Sequence, residues 1–109
     1  KERLDEVAQA TMVGGATLTK MLGTSAWYAP GAAVAAMVHA IATDSKKMFP
    51  CSAMLTGEYG LNDISIGVPC IIGKNGIDKI VEIELTDAEQ DKLAKSAAAV
   101  SKTNTLLDA

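Results

Sequence analysis

The chain has 109 residues, 49% of them hydrophobic and 21% charged, with a formal net charge of -3. That suffices for one small domain with a single modest core and is too apolar for a disordered segment. The basic residues are scattered and the only aromatics are Trp27, Tyr28, Phe49 and Tyr59, which excludes a concentrated phosphate-binding face or a base-stacking platform for nucleic acid.

Residues 1–22, KERLDEVAQATMVGGATLTKML, read as a helix: Leu4, Val7, Ala8, Thr11, Gly15, Leu18 and Leu22 recur at helical spacing as one apolar stripe. No capping residue precedes Lys1, so the pattern predicts a helix cut near its beginning, and KERLDE predicts no signal peptide. Gly14-Gly15 falls inside the stripe, where each glycine costs about 1 kcal/mol relative to alanine; a helix break or a close helix contact is expected there. A phosphate-binding turn would require a preceding strand and GxGxxG spacing, and neither is present.

Gly23-Thr24-Ser25 ends this helix, with Gly23 suited to the left-handed cap position. Pro30 fits the first turn of a second helix, Ala29 to Thr43, where its missing N–H is not needed. Ala32, Ala33, Val34, Ala35, Ala36, Met37, Val38 and Ile41 make this helix apolar on almost every side, so it is expected to be covered all round as the central helix of something larger. Pro30-Gly31 and His39 interrupt the apolar run, which reads as a buried helix and not a membrane span.

Strands follow. Met48 to Thr56 predicts a strand, at an edge or bulge because of Pro50, and Gly57 to Asp63 a turn. In ISIGVPCIIG, alternation puts Ile64, Ile66, Val68, Cys70 and Ile72 on one face. Lys74-Asn75-Gly76 is a tight hairpin connection, after which IDKIVEIEL returns with Val81, Ile83 and Leu85 inward and Glu82 and Glu84 outward. Thr86-Asp87-Ala88-Glu89 is a capping box for a last helix with Leu93, Ala97, Val100 and Leu107 along one face. The predicted architecture is α+β, helices packed on an antiparallel strand group.

The residues offer little chemistry. His39 is the only histidine and lies mid-helix among apolar neighbours, with no local triad partner, so it reads as a structural or partly buried histidine. One histidine with unclustered carboxylates gives no metal ligand set. Glu82, Glu84, Asp87, Glu89 and Asp91 read as a solvated strand face and a helix N-terminus. Cys51 and Cys70 could bridge facing strands, but two buried free thiols are expected. The methionines read as scattered core filler. Glu58-Tyr59-Gly60 is a turn with an exposed-looking aromatic, open between turn stability and a subunit contact.

Four blocks in order carry a family resemblance: GGATLTKMLG with SAWYAPGAA, then LTGEYGLNDISIGVP, then IIGKNGIDKIVEIELT, then the closing helix with KSAAAV. Together they resemble the C-terminal half of the catalytic domain of NAD-dependent malate dehydrogenases of the lactate-dehydrogenase-like type, over nearly the whole chain, residues 1–109. The resemblance implies a parent enzyme that oxidises malate to oxaloacetate with NAD, assembles as a homo-oligomer (dimer or tetramer) and is cytoplasmic, with no nucleic-acid or membrane partner. It places the elbow Ser25 to Gly31 over the nicotinamide and substrate pocket, with Ala26 at a substrate-pocket position that carries Thr in lactate dehydrogenases and Pro30 packing near the nicotinamide. SA-x-x-AP favours the malate branch; a lactate or other 2-hydroxy-acid dehydrogenase is the alternative within the class. No strand with a Gly-rich dinucleotide turn is present, so the NAD-binding domain is absent here. No His-Gly-Asp-like segment supplies the acid–base histidine, and Arg3 matches no substrate clamp. The implied catalytic residues therefore lie upstream, and the piece alone is expected to be inactive. A free-standing α+β interaction module is the rival from another class, and it predicts a capped first helix.

Overall fold

The computed structural model describes residues 2–106. Its elements are α1 (Glu2–Leu22), α2 (Tyr28–Ala42), β1 (Lys47–Thr56), a 3-10 turn (Glu58–Gly60), β2 (Asn62–Gly73), β3 (Gly76–Ile80) and α3 (Asp87–Asn104). The α+β expectation holds, with the strands in one antiparallel sheet of order β1-β2-β3. The predicted helix start at Lys1 and the predicted face position Leu107 lie outside the described residues. The chain divides into a unit of residues 1–36 and a unit of residues 37–109.

In the first unit, α1 runs unbroken through Gly14-Gly15, and a Cβ built on either glycine meets nothing within 4 Å. Neither the expected break nor the expected close contact is there. The glycine cost is local, and Ala16, Leu18, Lys20 and Met21 are good helix formers that carry the helix past it. Thr11 fits the apolar stripe because its hydroxyl donates to the Val7 carbonyl at 2.8 Å. The stripe itself is open: Leu4 is 73% exposed and Val7 57%. Gly23 closes the helix with φ 67°, as expected of a left-handed cap.

The second helix begins one residue before its predicted start, at Tyr28. Its expected all-round cover is only partial. Ala40 is buried and Met37 half-buried, whereas Val34 and Val38 are more than half exposed. An apolar circumference says that cover is favourable, not that the described residues supply it.

The second unit is built on the sheet. Ile64, Ile66, Val68, Cys70 and Ile72 share the buried face of β2, and Cys51, Ala53 and Leu55 that of β1. The register sets Cys51 opposite Val68, Ala53 opposite Ile66 and Leu55 opposite Ile64. Ala97 of α3 is buried in the same core, with Leu93 and Val100 packed beside it. Leu55 and Cys70 are the largest fully buried side chains.

Proline placement explains where the sheet ends. Pro50, on edge strand β1 as expected, faces Pro69 of β2. Alternate pairs of an antiparallel ladder exchange no hydrogen bond, so two prolines can face each other without loss. Toward β3 the situation differs. The Pro69 carbonyl accepts the Val81 N–H at 2.8 Å, but Pro69 has no N–H to return to the Val81 carbonyl. Strand β3 stops at Ile80, short of the predicted return through Leu85. Val81 and Leu85 are still half-buried, but Ile83 is 52% exposed, contrary to its expected inward position.

Tyr59 supplies what Pro69 cannot. Its hydroxyl donates to the Val81 carbonyl at 2.8 Å and accepts the Ile83 N–H at 3.1 Å. Its own N–H donates to Glu82 Oε1 at 2.7 Å, and Glu58 Oε2 accepts the Thr56 N–H at 2.7 Å. The aromatic expected to be exposed is therefore half-buried, and these bonds give the turn a structural role. Tyr59→Phe leaves the Val81 carbonyl without its donor, and urea denaturation is expected to show a loss of about 1–3 kcal/mol; an unchanged midpoint contradicts the role of the hydroxyl.

The predicted hairpin is present, with Gly73 paired to Gly76 and the left-handed φ on Gly76 (96°). Above Gly73, Lys46 Nζ lies 2.9 Å from Asp44 Oδ1 and 2.6 Å from Asp78 Oδ2, and the Lys74 N–H donates to Asp44 Oδ1 at 2.8 Å. A Cβ on Gly73 would crowd Asp78 Oδ2, Lys46 Nζ and Asp44 Oδ1, the ends of flexible side chains, so a larger residue there would make the cluster shift. Hydrogen bonds from Lys46 and then Lys74 hold the Asp44 carboxyl below its ordinary value, and bonding to Asp78 and then Asp44 raises Lys46.

At the head of α3 the capping box forms as predicted: the Thr86 N–H and hydroxyl donate to Glu89 Oε2 at 2.9 and 2.7 Å. These bonds, the hydroxyl's first, lower the Glu89 pKa, and the Thr56 N–H lowers that of Glu58. A lowered carboxylate stabilises the fold above its unfolded value, about 4.3 for Glu, and that contribution is lost as pH falls through the native value. The raised Lys46 works in the opposite window, stabilising below its unfolded value and losing effect as pH rises through the native one. Thr86→Ala is expected to cost about 1 kcal/mol near neutral pH, and the deficit should shrink on acidification as Glu89 protonates. A deficit independent of pH contradicts the Thr86–Glu89 assignment.

Candidate functional site

The elbow between α1 and α2 lies within the first unit and is set by backbone geometry. After Gly23, the Trp27 N–H donates to the Ser25 carbonyl at 3.2 Å, tightening the turn. The Gly31 N–H then donates to the Trp27 carbonyl at 2.8 Å as the first bond of α2. That bond starts one residue after Pro30, so the absent N–H of Pro30 falls where a helix has no use for one. The Trp27 and Tyr28 rings sit 6.0 Å apart, tilted by 40°, a spacing favourable for aromatic pairs.

Both candidate residues from the sequence lie on this elbow. Ala26 is half-buried and Pro30 exposed at the helix opening. Between Gly23 and Gly31 the only ionisable side chain is Tyr28, and the Thr24 and Ser25 hydroxyls have no histidine, carboxylate or lysine in this stretch to activate them, so the elbow has apolar surface and a shape but no acid–base pair. Such a surface can exclude water and hold a reactant in place; proton transfer must come from other residues.

His39 is exposed near the end of α2, not partly buried as expected. Its backbone carbonyl accepts the Thr43 N–H and hydroxyl at 3.0 and 2.7 Å. A solvent-facing position on an apolar helix cannot be read from a helix that lacks a polar face. Cys51 and Cys70 are free and buried, as expected. Burial, with Cys51 adding to it, pushes the Cys70 thiol up, which keeps it protonated and unreactive. Glu82, Glu84, Asp87, Glu89 and Asp91 are exposed as expected, Glu82 and Glu89 with the structural roles described. Among the described residues no group of three or more His, Cys, Asp or Glu side chains could hold a metal ion.

An open cleft of about 630 Å³ in the second unit, lined in part by Tyr59, Leu61, Glu82, Ile83, Leu85 and Leu93, has no signature in the residue pattern. It exists because β3 ends at Ile80 and the following segment leaves the sheet, a consequence of Pro69. None of its lining residues belongs to the elbow.

Comparison with known proteins points one way. The sequence profile described as lactate/malate dehydrogenase, alpha/beta C-terminal domain, matches residues 1–106. A malate dehydrogenase of Bacteroides fragilis is 65% identical over 107 residues, covering 98% of this chain and 34% of that protein. Among solved structures, malate dehydrogenase from Salinibacter ruber superposes with a TM-score of 0.95 at 41% identity, over 99% of this chain and 35% of its own. Lactate dehydrogenase from Eimeria maxima, solved with NADH and oxamate, gives a TM-score of 0.94 at 34% identity, over 99% of this chain and 33% of its own. The chain thus spans about a third of the length of the curated relatives it matches.

Proposed function

Because the chain belongs to the lactate/malate dehydrogenase C-terminal domain family, we propose that it is the C-terminal portion of the catalytic domain of an NAD-dependent malate dehydrogenase, its elbow forming one wall of the substrate pocket. The observation that carries this reading is 65% identity to malate dehydrogenases along almost the entire chain. The parent interconverts malate and oxaloacetate, a reaction of the tricarboxylic acid cycle, as a cytoplasmic homo-oligomer.

In this reading Ala26 borders the substrate and Pro30 the nicotinamide end of the cofactor. The residues present fit that position: a half-buried methyl group and an imino-acid ring, with the Tyr28 phenol as the only ionisable side chain on the elbow. NAD supplies the hydride acceptor. This chain's residues keep water out and limit the space in which the reactants lie. The pyrophosphate site, the acid–base histidine and the arginines that hold the substrate carboxylates belong to the rest of the enzyme.

The test is NADH formation by the full-length protein, followed by absorbance with (S)-malate and with lactate in parallel. Malate is expected to be the better substrate by kcat/KM. No malate-dependent reduction of NAD, or a preference for lactate, rejects the proposal.

A further inference from the structure

We propose that Asn75 is a site of spontaneous deamidation, with the Gly76 backbone nitrogen as the attacking group and an aspartate or isoaspartate at the hairpin tip as the product. Asn75 is exposed at the tip of the β2–β3 hairpin. Around the tip the Lys74 N–H donates to Asp44 Oδ1 and Lys46 Nζ donates to Asp78 Oδ2, and neither bond involves the Asn75 carboxamide. Gly76 has φ 96°, and a Cβ built on it meets nothing within 4 Å. No side chain at Gly76 therefore obstructs the approach of its nitrogen to the Asn75 side chain, and glycine's conformational freedom lets the backbone at the end of the ladder, where Gly76 pairs with Gly73, reach the geometry of attack.

The step balances without an oxidant or reductant. The Gly76 nitrogen attacks Asn75 Cγ and forms an N–Cγ bond. The Cγ–Nδ2 bond breaks, and ammonia leaves with the proton of the former amide. Water then opens the cyclic imide at one of its two carbonyls. Opening at Cγ gives aspartate; opening at the main-chain carbonyl gives isoaspartate, whose backbone runs through the former side chain.

The product changes a defined neighbourhood. A new carboxylate appears beside a cluster in which Lys46 already faces Asp44 and Asp78. Isoaspartate also lengthens the backbone between the paired residues Gly73 and Gly76, which pulls the Lys74 N–H away from Asp44.

The chain carries its own controls, Asn62 before Asp63 and Asn104 before Thr105, neither followed by glycine. The folded protein is incubated in mildly alkaline buffer, digested under mildly acidic conditions and mapped by mass spectrometry, with isoaspartate identified by enzymatic methylation. Conversion at Asn75 is expected several-fold faster than at Asn62 and Asn104, with an isoaspartate signal that disappears in Asn75→Gln. Conversion at Asn75 no faster than at either control, or an isoaspartate signal that survives Asn75→Gln, overturns the proposal.

Discussion

In the full-length enzyme, Ala26→Leu is expected to lower kcat/KM for malate by about 100-fold, the loss that a misplacement of roughly 1 Å can cause in a reacting pair. Ala26 is half-buried on an elbow whose shape is held by the Ser25–Trp27 and Trp27–Gly31 backbone bonds. With the elbow as the proposed pocket wall, a larger side chain at this position projects into the space the substrate needs. Folding should barely register the change, within about 0.5 kcal/mol as for other substitutions outside a packed core. Steady-state kinetics and thermal unfolding on the same preparation separate the two effects. An unchanged rate removes the elbow from the active site, and a large loss of stability assigns it a folding role instead.

Leu55→Ala tests the sheet core. Leu55 stands fully buried on the inner face of β1, opposite Ile64 of β2. Removing its side chain loses the transfer free energy of the deleted atoms and leaves a cavity, together about 2–5 kcal/mol. Its neighbour Met54 points to the other face and is 59% exposed, so Met54→Ala should stay within about 0.5 kcal/mol. Denaturant midpoints of the two variants measure the contrast. Equal losses would mean that the sheet does not present the face described. For a small domain of marginal stability, the Leu55 deficit alone is a large share of the total.

Periodicity made the buried face of β2 legible, because strict alternation from Ile64 to Ile72 admits only one inward set. The Thr86–Glu89 capping box and the Gly23 cap were legible for a similar reason: each residue satisfies a local backbone need. The early end of β3 was not. It depends on Pro69, which is distant in sequence and lacks the donor that Val81 requires, and on the Tyr59 hydroxyl that replaces it. Local patterning of IDKIVEIEL carries no trace of either. The same gap hid the cleft behind Ile83 and made Tyr59 look exposed.

The candidate site was legible in a different way. Nothing in the spacing of Ser25 to Gly31 announces chemistry, since the elbow contains no histidine, carboxylate, cysteine or lysine. Its assignment rests on resemblance of the motif and its order along the chain. The helix break expected at Gly14-Gly15 failed because propensity is a weak, additive preference that the surrounding helix formers outweighed.

The proposed division of labour has this chain shaping the pocket while other residues transfer the proton and hold the cofactor. The direct measurement compares the 109-residue chain with the full-length enzyme in one assay of malate-dependent NADH formation, with circular dichroism reporting that both are folded. Turnover is expected of the full-length enzyme and none of the chain alone. Turnover by the isolated chain would contradict that division.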